Sequence, residues 1–128
     1  MLTALIDYES GNLHSALKAF EKISSENSLG SVTITNDPEI ISNADRLVLP
    51  GDGAFPACKA ALEKSEVFEA LKHAVLAKRR PFLGICVGMQ LMAKKGFEFE
   101  PTNGLNWING QVERIQLDDP SLKIPHMG

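Results

Sequence analysis

The sequence predicts an α/β protein with a mostly parallel sheet in a three-layer arrangement. Two observations predict it. Short apolar runs of strand length alternate with stretches whose apolar residues recur at three- and four-residue spacing. Between them lie short segments rich in Gly, Pro, Asn, Asp and Ser. The 128 residues suit one domain, residues 1–128, with no repeat, low-complexity tract or interdomain linker.

Each element follows from local chemistry. Leu2 to Ile6 is a short apolar run and reads as a strand. Leu13, Ala16, Leu17, Phe20 and Ile23 fall on one helical face, with Lys18, Glu21 and Lys22 outside it. Ser24 to Gly30 is polar and reads as a loop. Ser31 to Thr35 is rich in β-branched residues and makes a second strand. Asp37-Pro38 starts a short helix, with Asp37 as its cap and Pro38 in its first turn. Arg46 to Leu49 is a third strand, stopped by Pro50-Gly51-Asp52-Gly53.

Phe55 to Lys78 has helical spacing, expected as two helices that meet near Ser65, with Ser65 capping the second. Pro81 to Ile85 is a fourth strand, and Gln90 to Lys95 is expected to be helical. Trp107 to Leu117 is expected to form a hairpin that turns at Asn109-Gly110. The Lys78-Arg79-Arg80 run reads as a solvated helix end. Met89 and Met92 are expected in the core, and Trp107 is expected to cover it.

Composition narrows the function classes. The chain has 13 Lys and Arg against 16 Asp and Glu, a net charge of −3, so nucleic acid is offered no basic footprint. No apolar run approaches the roughly 20 residues that span a bilayer. The first residues show no secretory signal. Two cysteines at no metal-like spacing, Cys58 and Cys86, suggest a reducing, cytoplasmic setting. No His/Cys/Asp/Glu cluster has metal-ligand spacing and no phosphate loop is present, so neither metal nor cofactor is expected.

In open α/β sheets, ligands bind beyond the carboxyl ends of the strands. Three loops fall there: Asp7 to Leu13, Pro50 to Phe55, and Gly84 to Gly88. The sharpest signal is Gly84-Ile85-Cys86-Val87-Gly88, between a strand and a helix. It has the form of a nucleophile elbow with Cys in place of Ser. Such a turn strains the central residue and crowds its neighbours, and glycines two before and two after relieve the crowding. The thiol would stand over the first amides of a helix, which favour a thiolate. The Val87 N–H would then face an oxyanion on a substrate carbonyl, and the Gly51–Gly53 loop would add a second donor. By pattern alone, a buried Cys in a tight strand–helix turn fits as well. Cys58 reads as a small buried hydrophobe.

Several motifs in order resemble one family. They are Ile6-Asp7-Tyr8-Glu9-Ser10-Gly11-Asn12-Leu13, Leu49-Pro50-Gly51-Asp52-Gly53-Ala54-Phe55, Gly84 to Leu91, Gly104-Leu105, Gly110-Gln111-Val112 and Ile124-Pro125-His126-Met127-Gly128. Together they resemble the class I glutamine amidotransferases, a flavodoxin-like fold. Within that class they resemble the glutaminase subunits of imidazole glycerol phosphate synthases. The resemblance implies that Cys86 is the nucleophile that forms a γ-glutamyl thioester. It implies backbone oxyanion donors at Val87, Asp52 and Gly53, and glutamine contacts at Gly51 and Gln90. It implies a heterodimer with a barrel-shaped (β/α) cyclase subunit that receives the ammonia, with Asn12, His126 and Met127 near that partner.

Two departures accompany the resemblance. Asp52 stands where the family is often apolar; its backbone is expected to matter and its carboxylate to face solvent. The family's catalytic His and Glu lie in a late His-Pro-Glu segment, and this sequence stops before one. His14 and His73 read as surface helix residues, and His126 matches a non-catalytic position. The expectation is therefore an incomplete domain, without appreciable glutaminase activity alone, whose uncovered sheet edge or apolar face favours self-association. A flavodoxin-like scaffold with an inert Cys86, or another class I amidotransferase, is the alternative.

Overall fold

The computed structural model describes residues 1–125. Seven strands and five α-helices follow in the order β1 (Leu2–Ile6), α1 (Leu13–Glu26), β2 (Ser31–Thr35), α2 (Pro38–Asn43), β3 (Arg46–Leu49), α3 (Phe55–Lys64), α4 (Phe68–Lys72), β4 (Phe82–Gly84), α5 (Val87–Gln90), β5 (Ala93–Gly96), β6 (Thr102–Asn103) and β7 (Ile108–Val112). A π-helical turn, His73–Ala77, continues α4.

The main sheet is wholly parallel, in the order β2-β1-β3-β4. β1 and β3 are its inner strands, which is why their sequences are continuous apolar runs and not alternating ones. Ala4, Ile6, Leu47 and Leu49 project into a core completed by Ile41 of α2, Leu62 of α3 and Leu71 of α4. On the opposite face α1 packs against β2, and its apolar stripe is only partly covered: Ile23 is 53% exposed. Beside it runs an apolar groove of about 280 Å³ between Phe20, Ile23, Val48 and Leu83.

The α/β class and the four strands of the main sheet agree with the sequence expectation. Asp37 caps α2 by accepting from the Glu39 amide at 2.8 Å. Other expectations need correction. α1 runs through the predicted loop to Glu26, and buried Ser24 bonds the Gly30 carbonyl at 2.7 Å. Ser65 ends α3 and does not start α4; its hydroxyl donates back to the Leu62 carbonyl at 2.6 Å.

The expected helix Gln90 to Lys95 is a single turn of α5 followed by β5. Trp107 to Leu117 is not a hairpin. β7 continues through Asn109-Gly110 with one extra residue against β5, where Ala93 faces Ile108 and Lys95 faces Gln111, and pairs in parallel with β5, while β6 pairs antiparallel on the other side of β5. Long-range pairing with β5 outweighs the local turn preference of Asn-Gly. Met89 is 53% exposed and is not a core residue. Trp107 does pack against the core, edge-on to Phe82 with ring centroids 5.3 Å apart, and so ties the second sheet to β4.

Candidate active site

Three loops meet at the carboxyl ends of β1, β3 and β4. The β3 loop lies directly on the turn after β4. The Ile85 amide donates to the Leu49 carbonyl at 3.0 Å. A Cβ added at Gly88 would stand 1.9 Å from that carbonyl oxygen, and one at Gly84 would stand 2.6 Å from the Met89 backbone. Only glycine fits either position, for the crowding that a tight strand-to-helix turn creates.

Between these glycines Cys86 has φ +54° and ψ −119°, a strained conformation for a residue with a side chain. Its side chain is exposed. The Gly88 amide is used by the Ile85 carbonyl at 3.0 Å, and the Met89 and Gln90 amides by the Cys86 carbonyl. The Val87 amide has no partner among the described residues, so it is the free donor beside the thiol. The expected longer helix behind Cys86 is one turn, so the dipole there is that of a short segment.

The loop after β1 grips the loop after β3. The buried Tyr8 hydroxyl donates to the Pro50 carbonyl at 2.8 Å. Burial pushes the Tyr8 phenol up to about 12 from 10.0. Gly11 packs against the Pro50 ring; an added Cβ would come within 2.9 Å. Asp52 is exposed, yet its amide donates to Ser10 Oγ at 3.2 Å and its carbonyl accepts from the same hydroxyl at 2.9 Å. The Asp52 amide expected as an oxyanion donor is therefore occupied in this structure.

A cleft of about 600 Å³ opens beside the turn, with Gly53, Val87 and Gln90 on one side and Phe97, Glu98, Val112, Glu113 and Arg114 among the others. Glu98 also caps α3, accepting from the Phe55 amide at 2.7 Å where Ala54 offers no side-chain cap. The structure thus brings Gly51, Gly53, Cys86, Val87 and Gln90 together. Asn12 stands apart on the surface, capping α1 through the Ser15 amide at 3.4 Å. His126 and Met127 lie outside the described residues.

His14 and His73 are exposed, and neither is hydrogen-bonded to Cys86 among the described residues. No group of three His, Cys, Asp or Glu that could hold a metal ion occurs among those residues. Among the described residues no helix is long and apolar enough to cross a membrane. Sequence reasoning missed the side chains of the cleft's far wall, because Phe97 and Glu98 come from a segment to which it assigned no element and Val112, Glu113 and Arg114 from one misread as a hairpin. It also missed the roles of Tyr8, Ser10 and Cys58.

A parallel sheet with a strained, exposed cysteine between a strand and a helix, over a free amide and a glycine loop, defines a nucleophile-elbow α/β protein. Residues 4–116 match the family model described as glutamine amidotransferase class-I. The chain belongs to the class I glutamine amidotransferase family. It is 58% identical over its whole length to the imidazole glycerol phosphate synthase subunit HisH of Ruegeria pomeroyi and covers 61% of that protein. It is 56% identical to the HisH subunit of Cereibacter sphaeroides, covering 61% of it. With the HisH subunit of Caulobacter vibrioides it shares 51% identity over 98% of this chain and 59% of the relative. The chain spans about three fifths of the length of these curated relatives.

Proposed function

We propose that this chain carries the nucleophile-bearing part of a glutaminase domain, and that it serves an imidazole glycerol phosphate synthase in histidine biosynthesis. The observation that carries this reading is Cys86 at φ +54°, exposed beside the unpartnered Val87 amide. Strain of this kind, held by close-packed glycines, is found where a side chain must be presented for chemistry. The named relatives are all subunits of such synthases.

In the proposed reaction, Cys86 Sγ attacks the side-chain amide carbon of glutamine. The carbonyl oxygen becomes an oxyanion held by the Val87 amide and by an amide of the Gly51–Gly53 loop. The C–N bond breaks, the nitrogen leaves as ammonia with the thiol's proton, and a γ-glutamyl thioester remains. Water then attacks the thioester, releasing glutamate and restoring the thiol. Gly51 and Gln90 are assigned contacts to the glutamine that fills the cleft.

Proton transfer in this scheme needs a base, and the described residues place no imidazole on Cys86. A polypeptide of these 128 residues alone is therefore expected to hydrolyse glutamine very slowly. We assign the ammonia to a barrel-shaped cyclase subunit in a heterodimer, with Asn12, His126 and Met127 toward it. Two free thiols agree with a cytoplasmic setting. Self-association of the isolated polypeptide is assigned to the open edge of β4, where Leu83 is 49% exposed, and to the groove beside it.

The test is glutamate formation from glutamine by the protein as it occurs in the cell, assayed with its cyclase partner. Cys86→Ala is expected to abolish it and Cys58→Ala to leave most of it. Glutaminase activity surviving Cys86→Ala would overturn the proposal in favour of an inert scaffold.

A further inference from the structure

We propose that Arg114 is a specificity-determining residue for the amino-acid end of the substrate, its guanidinium taking the free α-carboxylate of glutamine. The site would then accept the free amino acid and reject glutamine whose carboxyl group is blocked. This rests on the glutaminase reading above, because it needs the amide end of the substrate at Cys86.

The second sheet places Arg114. Its register sets Gly96 beside Val112, and the Phe97 amide donates to the Val112 carbonyl at 3.0 Å. Residues 112–114 follow that bond on one chain and residues 97–99 on the other, and both stretches line the cleft beside Val87. The Arg114 side chain is exposed and enters no ion pair among the described residues.

The charges on the cleft wall decide what it attracts. Glu98 and Glu113 are anions and repel a carboxylate, and Arg114 is the one cation among the described lining residues. Lys95 Nζ sits over the Phe97 ring, 5.3 Å from its centroid, and does not line the cleft. A guanidinium presents paired N–H donors in one plane, which match the two oxygens of a carboxylate. Phe97 and Phe99 on the same wall displace part of the water that would screen such a pair.

The substrate's dimensions agree with this placement. Four C–C bonds separate the amide carbon of glutamine from its carboxylate carbon, about 5 Å when extended. With the amide carbon at Cys86 and its oxygen on the Val87 amide, the carboxylate falls within the cleft that begins at Val87. An amide or peptide bond at that end offers Arg114 one uncharged oxygen, and the charge-assisted pair is lost.

Two measurements test this. The first is titration calorimetry of the full chain carrying Cys86→Ala, which leaves glutamine intact, with L-glutamine and with L-glutamine α-amide. Adding Arg114→Met is expected to weaken L-glutamine about tenfold, the ratio for losing a hydrogen bond to a charged group. It should leave the α-amide unchanged, and Arg114→Lys should recover part of the loss. The second is glutamate formation with the cyclase partner present. Arg114→Met is expected to raise KM for L-glutamine about tenfold and to keep kcat within about twofold.

Equal weakening of both ligands by Arg114→Met would show a merely structural role and overturn the proposal. So would an unchanged L-glutamine affinity, a chain that binds no L-glutamine, or a fall in kcat at constant KM. Failure of the nucleophile reading shows itself separately, as glutamate formation that survives Cys86→Ala. The ratio of the two ligands' affinities then still decides whether Arg114 reads the carboxylate.

Discussion

Cys58 and Cys86 flank the same loop in opposite circumstances. Cys58 sits in the first turn of α3, 3% exposed, its thiol directed at Ser10 and the Asp52 carbonyl. Cys86 is exposed, lies at positive φ, and has no side-chain partner among the described residues. A buried, hydrogen-bonded thiol adds to stability and is shielded from reagents. A thiol held at a costly backbone angle and left unpartnered subtracts from stability, and the surrounding packing must offset it. The contrast separates a cysteine that shapes a loop from one presented for reaction.

The largest way to break the contrast is to spoil the turn that presents Cys86. Gly88→Ala would set a Cβ 1.9 Å from the Leu49 carbonyl. It is expected to cost about 3 kcal/mol in a urea titration, as overpacking against rigid backbone does. It should also abolish selective reaction at Cys86. Gly110→Ala, where an added Cβ meets nothing within 4 Å, is the matched control; it should stay within about 0.5 kcal/mol.

A second effect tests the Tyr8 grip beside both thiols. The Tyr8 phenol is raised from 10.0 to about 12, chiefly by burial. Below pH 10 both folded and unfolded chains keep that proton, so its contribution is complete. Between pH 10 and about 12 the unfolded chain loses the proton first, and stability falls as pH rises. The loss is on the order of 2–3 kcal/mol across that window. Denaturation midpoints of wild type and Tyr8→Phe should converge as pH rises from 9 to 12. A constant difference would show that the phenol is not buried as described.

The smallest effects sharpen the comparison by having opposite signs. Cys58→Ala removes a buried thiol with two polar neighbours and should destabilise by about 1 kcal/mol. Cys86→Gly removes a side chain from positive φ and should stabilise by about 1 kcal/mol. Thermal melts of both variants check the pair. Loss of stability in Cys86→Gly would mean that the turn is not strained.

The main sheet was legible because its information is local. Leu2–Ile6, Ser31–Thr35 and Arg46–Leu49 are short apolar or β-branched runs closed by Asp, Asn or Pro-Gly, and they lie where those patterns place them. The elbow was legible because close approach forces its glycines. The second sheet was not. Gln90 to Lys95 has helix-compatible residues, and only pairing of β5 with distant Thr102–Asn103 and Ile108–Val112 makes Ala93–Gly96 extended. Asn109-Gly110 carries the strongest hairpin signal in the chain, and that signal lost to the ladder. Ser10 was legible as part of a motif but not as a partner of Asp52, 42 residues away, because sequence spacing does not encode which loops touch.

Selective alkylation tests the central claim most directly. The folded chain is treated with 6-diazo-5-oxo-L-norleucine, a glutamine-shaped electrophile, with and without excess glutamine, and the modified cysteine is mapped by peptide mass spectrometry. The account predicts modification at Cys86, none at Cys58 while the fold holds, and protection by glutamine. Modification of both thiols at similar rates, or a Cys86 adduct that glutamine does not slow, would contradict it.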